Sequence, residues 1–177
     1  MIKKKYKLTD ETIKVDGTTL YRIRVLKDFD DVKEGDLGGF VESERNLSHD
    51  DNCWVGGNAC IYQNAKVYEN AKVYDDAKVY GDAKVFGKAN VFGDAKVYDN
   101  AQVSDHAKVN GNAQVSGNAN IYGDARVYGK ANVSSEMKIY GKACIFGDAR
   151  VYGDARIYGY AQVTGNTKIS IMDPLFT

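Results

Sequence analysis

From Cys53 to Met172 the chain repeats apolar and polar positions with a period of six, in twenty consecutive hexapeptides without insertion or deletion. The unit reads Ala77-Lys78-Val79-Tyr80-Gly81-Asp82. Its third position is Val or Ile in all twenty copies, and its first is Ala in seventeen, the others being Cys53, Met137 and Thr167. Side chains alternate across a strand, so Ala and Val point to one side, Lys and Tyr to the other. The fifth position is Gly in thirteen copies and the sixth is mostly Asn or Asp. These residues tolerate positive φ, which predicts a tight corner after each short strand. A strand of about four residues that turns every six does not suit antiparallel hairpins, but it suits a coil that returns on itself. Each strand then stacks about 4.8 Å from its equivalent in a parallel ladder, with Val and Ala filling a narrow core. No coil buries that core alone, so stability comes from neighbouring coils. The pattern predicts an all-β fold, a parallel β-helix over residues 53–172.

Residues 1–52 break the period. Ile13-Lys14-Val15 and Leu20 to Val25 flank Asp16-Gly17, a hairpin signal. A Gly-rich connection from Phe29 to Val41 follows, and Asn46-Leu47-Ser48 leads into Cys53-Trp54-Val55. The end coil of a β-helix exposes unpaired backbone and apolar side chains. Residues 1–52 are therefore expected to form an N-terminal β cap. Residues 173–177 form a C-terminal tail, and Ile171, Met172, Leu175 and Phe176 around Pro174 are expected to cover the other end.

The hexapeptide string resembles the hexapeptide-repeat, LpxA-like family. That resemblance implies a left-handed β-helix with three hexapeptides per coil, giving between six and seven coils and a length of roughly 30 Å. The family's aliphatic and small positions match throughout. The residue after the aliphatic one is usually Tyr or Phe here, where the family often has Gly. The run from Phe29 through Asp31-Val32-Lys33 and Gly38-Gly39 to Val41, then Asn46-Leu47-Ser48 and Cys53-Trp54-Val55, is similar to the start of the YdcK-like subgroup of bacterial hexapeptide proteins. A transferase role is what that likeness implies. Many members of the wider family transfer acyl groups from acyl-CoA-type donors, as trimers, with a His as general base.

Composition narrows the chemistry. The formal net charge is zero, so a nucleic-acid partner is not expected. The hexapeptides hold fourteen Lys and Arg against eleven Asp and Glu. Three cysteines without CxxC spacing suit a reducing compartment. No signal-peptide pattern and no long apolar run are present, so a cytoplasmic protein without a membrane segment is expected. Corner carboxylates such as Asp76 and Asp94 fall one coil apart, yet Ca²⁺ wants six or more oxygens, so neither a metal nor another cofactor is expected.

A general base must reach its acceptor, and only His106, at a corner, and His49, ahead of the first repeat, are available. No loop breaks the repeat to shape a site around either. Cys60 and Cys144 occupy outward second positions without a His at a matching spacing. The fourth position is expected to face solvent and is aromatic in thirteen copies. With eighteen residues per coil the aromatics fall into three stacks. Such stacks strengthen a ladder or mark an interaction surface. The row Tyr68, Phe86, Tyr122, Tyr140 and Tyr158, interrupted only by Ser104, is the expected interface of a homo-oligomer, dimer or trimer. From Gln102 to Ser116 no aromatic occurs, through either drift among repeats or a ligand waist around His106. Two readings result. One is a non-enzymatic protein-binding or structural scaffold that self-associates through aromatic faces. The alternative is a trimeric acyltransferase using His106 or His49.

Overall fold

The computed structural model describes residues 4–171. Twenty short strands, here called rungs, run from Trp54–Val55 to Lys168–Ile171, one for each hexapeptide. Each rung holds positions two and three of the unit, and most are two residues long. Every rung pairs in parallel with the one eighteen residues on, as Lys78–Val79 does with Lys96–Val97 and that with Gln114–Val115. Three hexapeptides therefore complete a coil. The rungs sort into three parallel sheets that form a β-solenoid. The first face starts at Cys60–Ile61, the second at Lys66–Val67 and the third at Trp54–Val55.

The third position is the core. Its Val and Ile residues from Val55 to Val151 are buried, as are the first-position residues from Cys53 to Ala149. The corners work through the fifth position, which has positive φ in every copy from Gly57 to Gly165. Six of these residues are not glycine: Gln63, Glu69, Asp75, Asp99, Asp105 and Ser135. A Cβ on Gly81 would sit 2.8 Å from the backbone nitrogen of Asp99 in the next coil. A side chain at this position thus points along the stack at an N–H. Asp99 uses that direction, accepting a hydrogen bond from Gly117 N at 3.0 Å, and Asp75 accepts one from Gly93 N at 3.0 Å. Glu69, Asp105 and Gln63 do the same to Gly87, Gly123 and Gly81. Left-handed strain is offset by a backbone donor satisfied.

Ahead of the regular repeats, β1 (Tyr6–Val15) and β2 (Thr18–Val25) form an antiparallel hairpin. Its turn is the expected Asp16-Gly17, with φ of 49° and 82°. β3 (Leu37–Val41) pairs antiparallel with β2 on one side and parallel with Cys60–Ile61 on the other. Leu47 bridges to Val67 in parallel. Val41 and Leu47 are thus inward residues stacked on the third position of the next coil. Parallel stacking begins before the hexapeptide spelling does. Four residues, His49 to Asn52, make the corner from Ser48 to Cys53, where two suffice in the repeats. β1 and β2 carry a register shift, and such shifts bend a strand pair. On one side of it Tyr6, Ile23 and Val25 join the core of Val41, Leu47, Cys53 and Val55. On the other, Leu20 packs with Phe40, Cys60 and Tyr62 on the outside of the first face.

Three expectations change here. Tyr62 is buried rather than solvent-facing, because Leu20 covers it and Asp16 Oδ2 accepts its hydroxyl hydrogen at 2.9 Å. Cys60 is buried for the same reason. Ser104 and Ser116, at fourth positions, are also buried, short side chains sitting below the level of their longer neighbours. The aromatic-free stretch from Gln102 to Ser116 keeps the same rungs and the same closed core. The tail expected to cover the far end lies outside the described residues, as does the side chain of Ile171.

Candidate functional site

The outer faces are built from positions two and four. On the second face Tyr68 stacks on Phe86 with centroids 5.0 Å apart, Tyr122 on Tyr140 at 4.9 Å, and Tyr140 on Tyr158 at 5.3 Å. Each ring is half-buried between its neighbours. The first face carries Tyr62, Tyr80 and Tyr98 in the same manner, and the third carries Tyr128 on Phe146. The rings therefore strengthen the ladders whatever else they do. Coverage separates the faces. The hairpin lies over the opening of the first face, where Ile13 and Val15 pack near Tyr62 and Tyr80. The connection between β2 and β3 lies over the opening of the third: Phe29 meets Trp54 edge-on at 5.5 Å, and Asp30 pairs with Lys72 at 2.6 Å. Among the described residues the second face is met at its start by Arg45 and Ser48, around a shallow hollow with Lys66, Tyr68 and Lys84, and by Leu47 in the ladder.

The two histidines stand apart. His106 sits exposed at a corner, its backbone nitrogen in the ladder to Gly123 O. Among the described residues its side chain makes no hydrogen bond that would orient it as a base. His49 lies in the widened corner, stacked on Tyr6 with centroids 4.3 Å apart. Its Nδ1 accepts a hydrogen bond from Lys5 N at 3.4 Å, while Nε2 is buried without a partner, 3.8 Å from Glu44 Oε2. Burial holds the imidazole below its ordinary pKa, against the pull of Glu44.

Around His49 the structure assembles residues that sequence reasoning did not connect. Lys5 is buried, and its ammonium donates to Cys53 O at 2.7 Å, Asp50 O at 3.2 Å and Asp51 O at 3.4 Å. Its Nζ also lies 3.2 Å from Cys53 Sγ. Burial lowers the Lys5 pKa and raises that of the Cys53 thiol. The Tyr6 hydroxyl donates to Leu47 O at 2.7 Å, and burial pushes its pKa up. A lysine, a cysteine, a tyrosine and a histidine so placed look like chemistry. The lysine, tyrosine and cysteine are spent on backbone carbonyls, the imidazole accepts from Lys5 N while its Nε2 stays without a partner, and Cys53 is closed to solvent. The cluster ties β1 to the widened corner. No sequence signal marks Lys5, which stands among lysines at the start of the chain.

Cys60 has its thiol pKa raised by burial, and Cys144 is half-exposed beside Arg126 in the ladder. Among the described residues no group of His, Cys, Asp and Glu is arranged to hold a metal ion. Among the described residues no helix is long and apolar enough to cross a membrane.

A concavity of about 690 Å³ is an open groove along the edge between the first and second faces. It starts at Arg45 and Asn46 and runs past Asn64, Lys66, Asp82 and Lys84. A similar groove beside Asp148 and Arg150 marks the edge between the third face and the first. These concavities follow from the repeat, wherever a corner residue meets the second position of the next rung.

The model of the YdcK β-solenoid repeat matches residues 101–117 and 149–165. Each stretch is close to one coil. The chain is a β-solenoid repeat protein. No curated protein matches it. The matched stretches of the solenoid include position six and position two of several edges, but neither His49 nor the Lys5 cluster.

Proposed function

We propose that this solenoid is a non-enzymatic scaffold whose second face binds protein, further copies of the chain included. The supporting observation is the unequal coverage of the three faces. Among the described residues the N-terminal segment lies over the opening rungs of the first and third, whereas the aromatic row of the second, Tyr68 to Tyr158, is overlain at its start alone. Flat aromatic rows pack with little loss of side-chain entropy. In this reading the coil is left-handed and LpxA-like, the subgroup is YdcK-like, and the N-terminal hairpin caps the first coil. Tyr6, Ile23 and Val25 in the core support that role.

The acyltransferase alternative requires His106 or His49 as base. His49 is occupied by Tyr6 and Lys5, and among the described residues no hydrogen bond orients His106, so neither favours it. Light scattering at micromolar concentration is expected to report more than one chain. Tyr122→Ser, Tyr140→Ser and Tyr158→Ser together should shift the mass toward one chain while the β signal stays. A single-chain mass for the wild type would sink self-association. Acyl-CoA turnover that disappears in a folded His106→Ala variant would sink the non-enzymatic reading.

A further inference from the structure

All eleven carboxylates of the hexapeptides stand at positions five and six, in the corners, and none stands on a face. Eleven of the fourteen basic residues stand at position two, on the faces. Along the edge between the first and second faces, this segregation acquires a pattern. Each coil contributes a position-six residue and, two residues on, a position-two residue. Three levels carry an acid with a base: Asp82 with Lys84, Glu136 with Lys138, and Asp154 with Arg156. The levels between carry amide with amide, Asn100 with Gln102 and Asn118 with Asn120, the Asp99 carboxylate beside Asn100 being turned to Gly117 N, and the first level sets Asn64 beside Lys66. The edge between the third and first faces also carries three such levels, Asp76 with Lys78, Asp94 with Lys96 and Asp148 with Arg150, but its columns are mixed, with Lys130 among the acids and Cys60 among the bases. The remaining edge sets His106 beside Lys108 and Lys142 beside Cys144.

Within one chain these charges do not meet. None of the six belongs to an ion pair among the described residues. Two carboxylates are instead steadied along the stack: Asn64 Nδ2 donates to Asp82 Oδ1 at 3.0 Å, and the Asn118 amide donates to Glu136. The open groove follows the start of this line. The edge thus presents two parallel columns, one of acids and amides, one of bases and amides, whose charges have no ion-pair partner among the described residues.

We propose that this edge is a self-complementary seam, at which a second copy lies parallel to the first. A two-fold axis running along the stack exchanges the two columns while keeping every level in place. Asp82 then faces Lys84 of the second copy and the reverse. The same holds at the Glu136 and Asp154 levels, and amides meet amides between them. A two-fold axis across the stack would run the copies antiparallel and set acid column on acid column. Only a second solenoid shares the pitch. A nucleic-acid strand carries a charge every ~3.4 Å along its axis, and rungs stand ~4.8 Å apart, so register is lost within a few coils. The contact is isologous and closed. It rests on the reading of self-association and goes beyond it, since it leaves the aromatic row at the rim and names the edge as the line of recognition.

Two reversed chains test the seam. One carries Lys84→Glu, Lys138→Glu and Arg156→Glu; the other carries Asp82→Lys, Glu136→Lys and Asp154→Lys. Each alone is expected to self-associate at least about tenfold more weakly than wild type, and raised salt should weaken the wild type in the same direction. Mixed, the two should form a one-to-one complex by sedimentation, because each supplies the charge the other lost. Spin labels on Asn70→Cys, Asp124→Cys and Tyr160→Cys in a Cys144→Ser background should give one intermolecular distance at all three levels. Distances that change along the stack would mean antiparallel copies and overturn the seam. So would a mixture that stays unpaired. A wild type that dissociates on the three Tyr→Ser changes but not on charge reversal leaves the aromatic-face reading standing and removes the seam. A single-chain wild type removes both.

Discussion

The first coil and the coils that follow enclose the same core by different means. In the repeats one arrangement recurs: Val or Ile inward, Ala beside it, positive φ at position five, and a ladder to the next coil. In the first coil nearly every contact is unique. Lys5 satisfies the carbonyls of the widened corner, Tyr6 those near Leu47, and Asn46 Nδ2 donates to Gln63 O and Ala65 O at 3.0 Å each. Where a contact is repeated, its loss is shared with neighbours of the same kind. Where it is unique, nothing adjacent replaces it.

The strongest way to break this comparison is to strike the shared core itself. Val109→Asp puts an unpaired carboxylate at a fully buried third position. It should cost several kcal/mol and melt the adjacent coils. Lys108→Asp, one residue away but exposed, should change stability by no more than about 0.5 kcal/mol. Thermal melts of the pair read the register directly; equal melting would mean that the inward set is wrong.

Lys5→Met comes next. It keeps length and apolar stem but removes the donors to Cys53, Asp50 and Asp51. Stranding buried carbonyls costs about 1–3 kcal/mol, or very roughly 3–10 °C in melting temperature for a domain of this size. If Lys5→Met melts as wild type does, the first coil is not held by unique contacts. At the corners, Asp99→Ala should cost about 1 kcal/mol, losing the hydrogen bond to Gly117 and leaving a Cβ at positive φ. Asp99→Gly should cost less, since it relieves the strain.

The smallest effect is one of pH. The folded pKa of His49 is depressed by burial, so the unfolded chain binds the proton more tightly. Its contribution to stability is complete above the unfolded His value of about 6.5 and declines as the pH falls through that value toward the folded one. His49→Phe should flatten this limb of the stability curve. An unchanged pH dependence in that variant would show that the ring is not held neutral by its surroundings.

These sites also mark what the sequence makes legible. The inward Val and Ile, the corners and the parallel stacking follow from a period of six, because side-chain direction in a strand is a local property. Three units per coil came from likeness rather than period, and the eighteen-residue register shows it directly. Coverage is not local. That Leu20 would close over Tyr62 and Cys60 depends on how a hairpin bends back, which no periodicity of the repeat encodes. The burial of Lys5 is hidden for a related reason, as its carbonyl partners lie more than forty residues away. The charge pattern of the edge, by contrast, is spelled out in the sequence at a spacing of two. It becomes meaningful only once the coil length says which residues share a line.

The eighteen-residue register makes six and eighteen two different units of change. Deleting one hexapeptide leaves every inward Val inward, so the chain still folds. Everything beyond the deletion, however, moves round by one face. Rows of tyrosines, acids and bases would then stop short on one side and resume on another. Deleting three hexapeptides shortens the molecule by one coil and keeps each row on its own side. For folding, the unit of inheritance is the hexapeptide; for whatever reads the surface it is the coil.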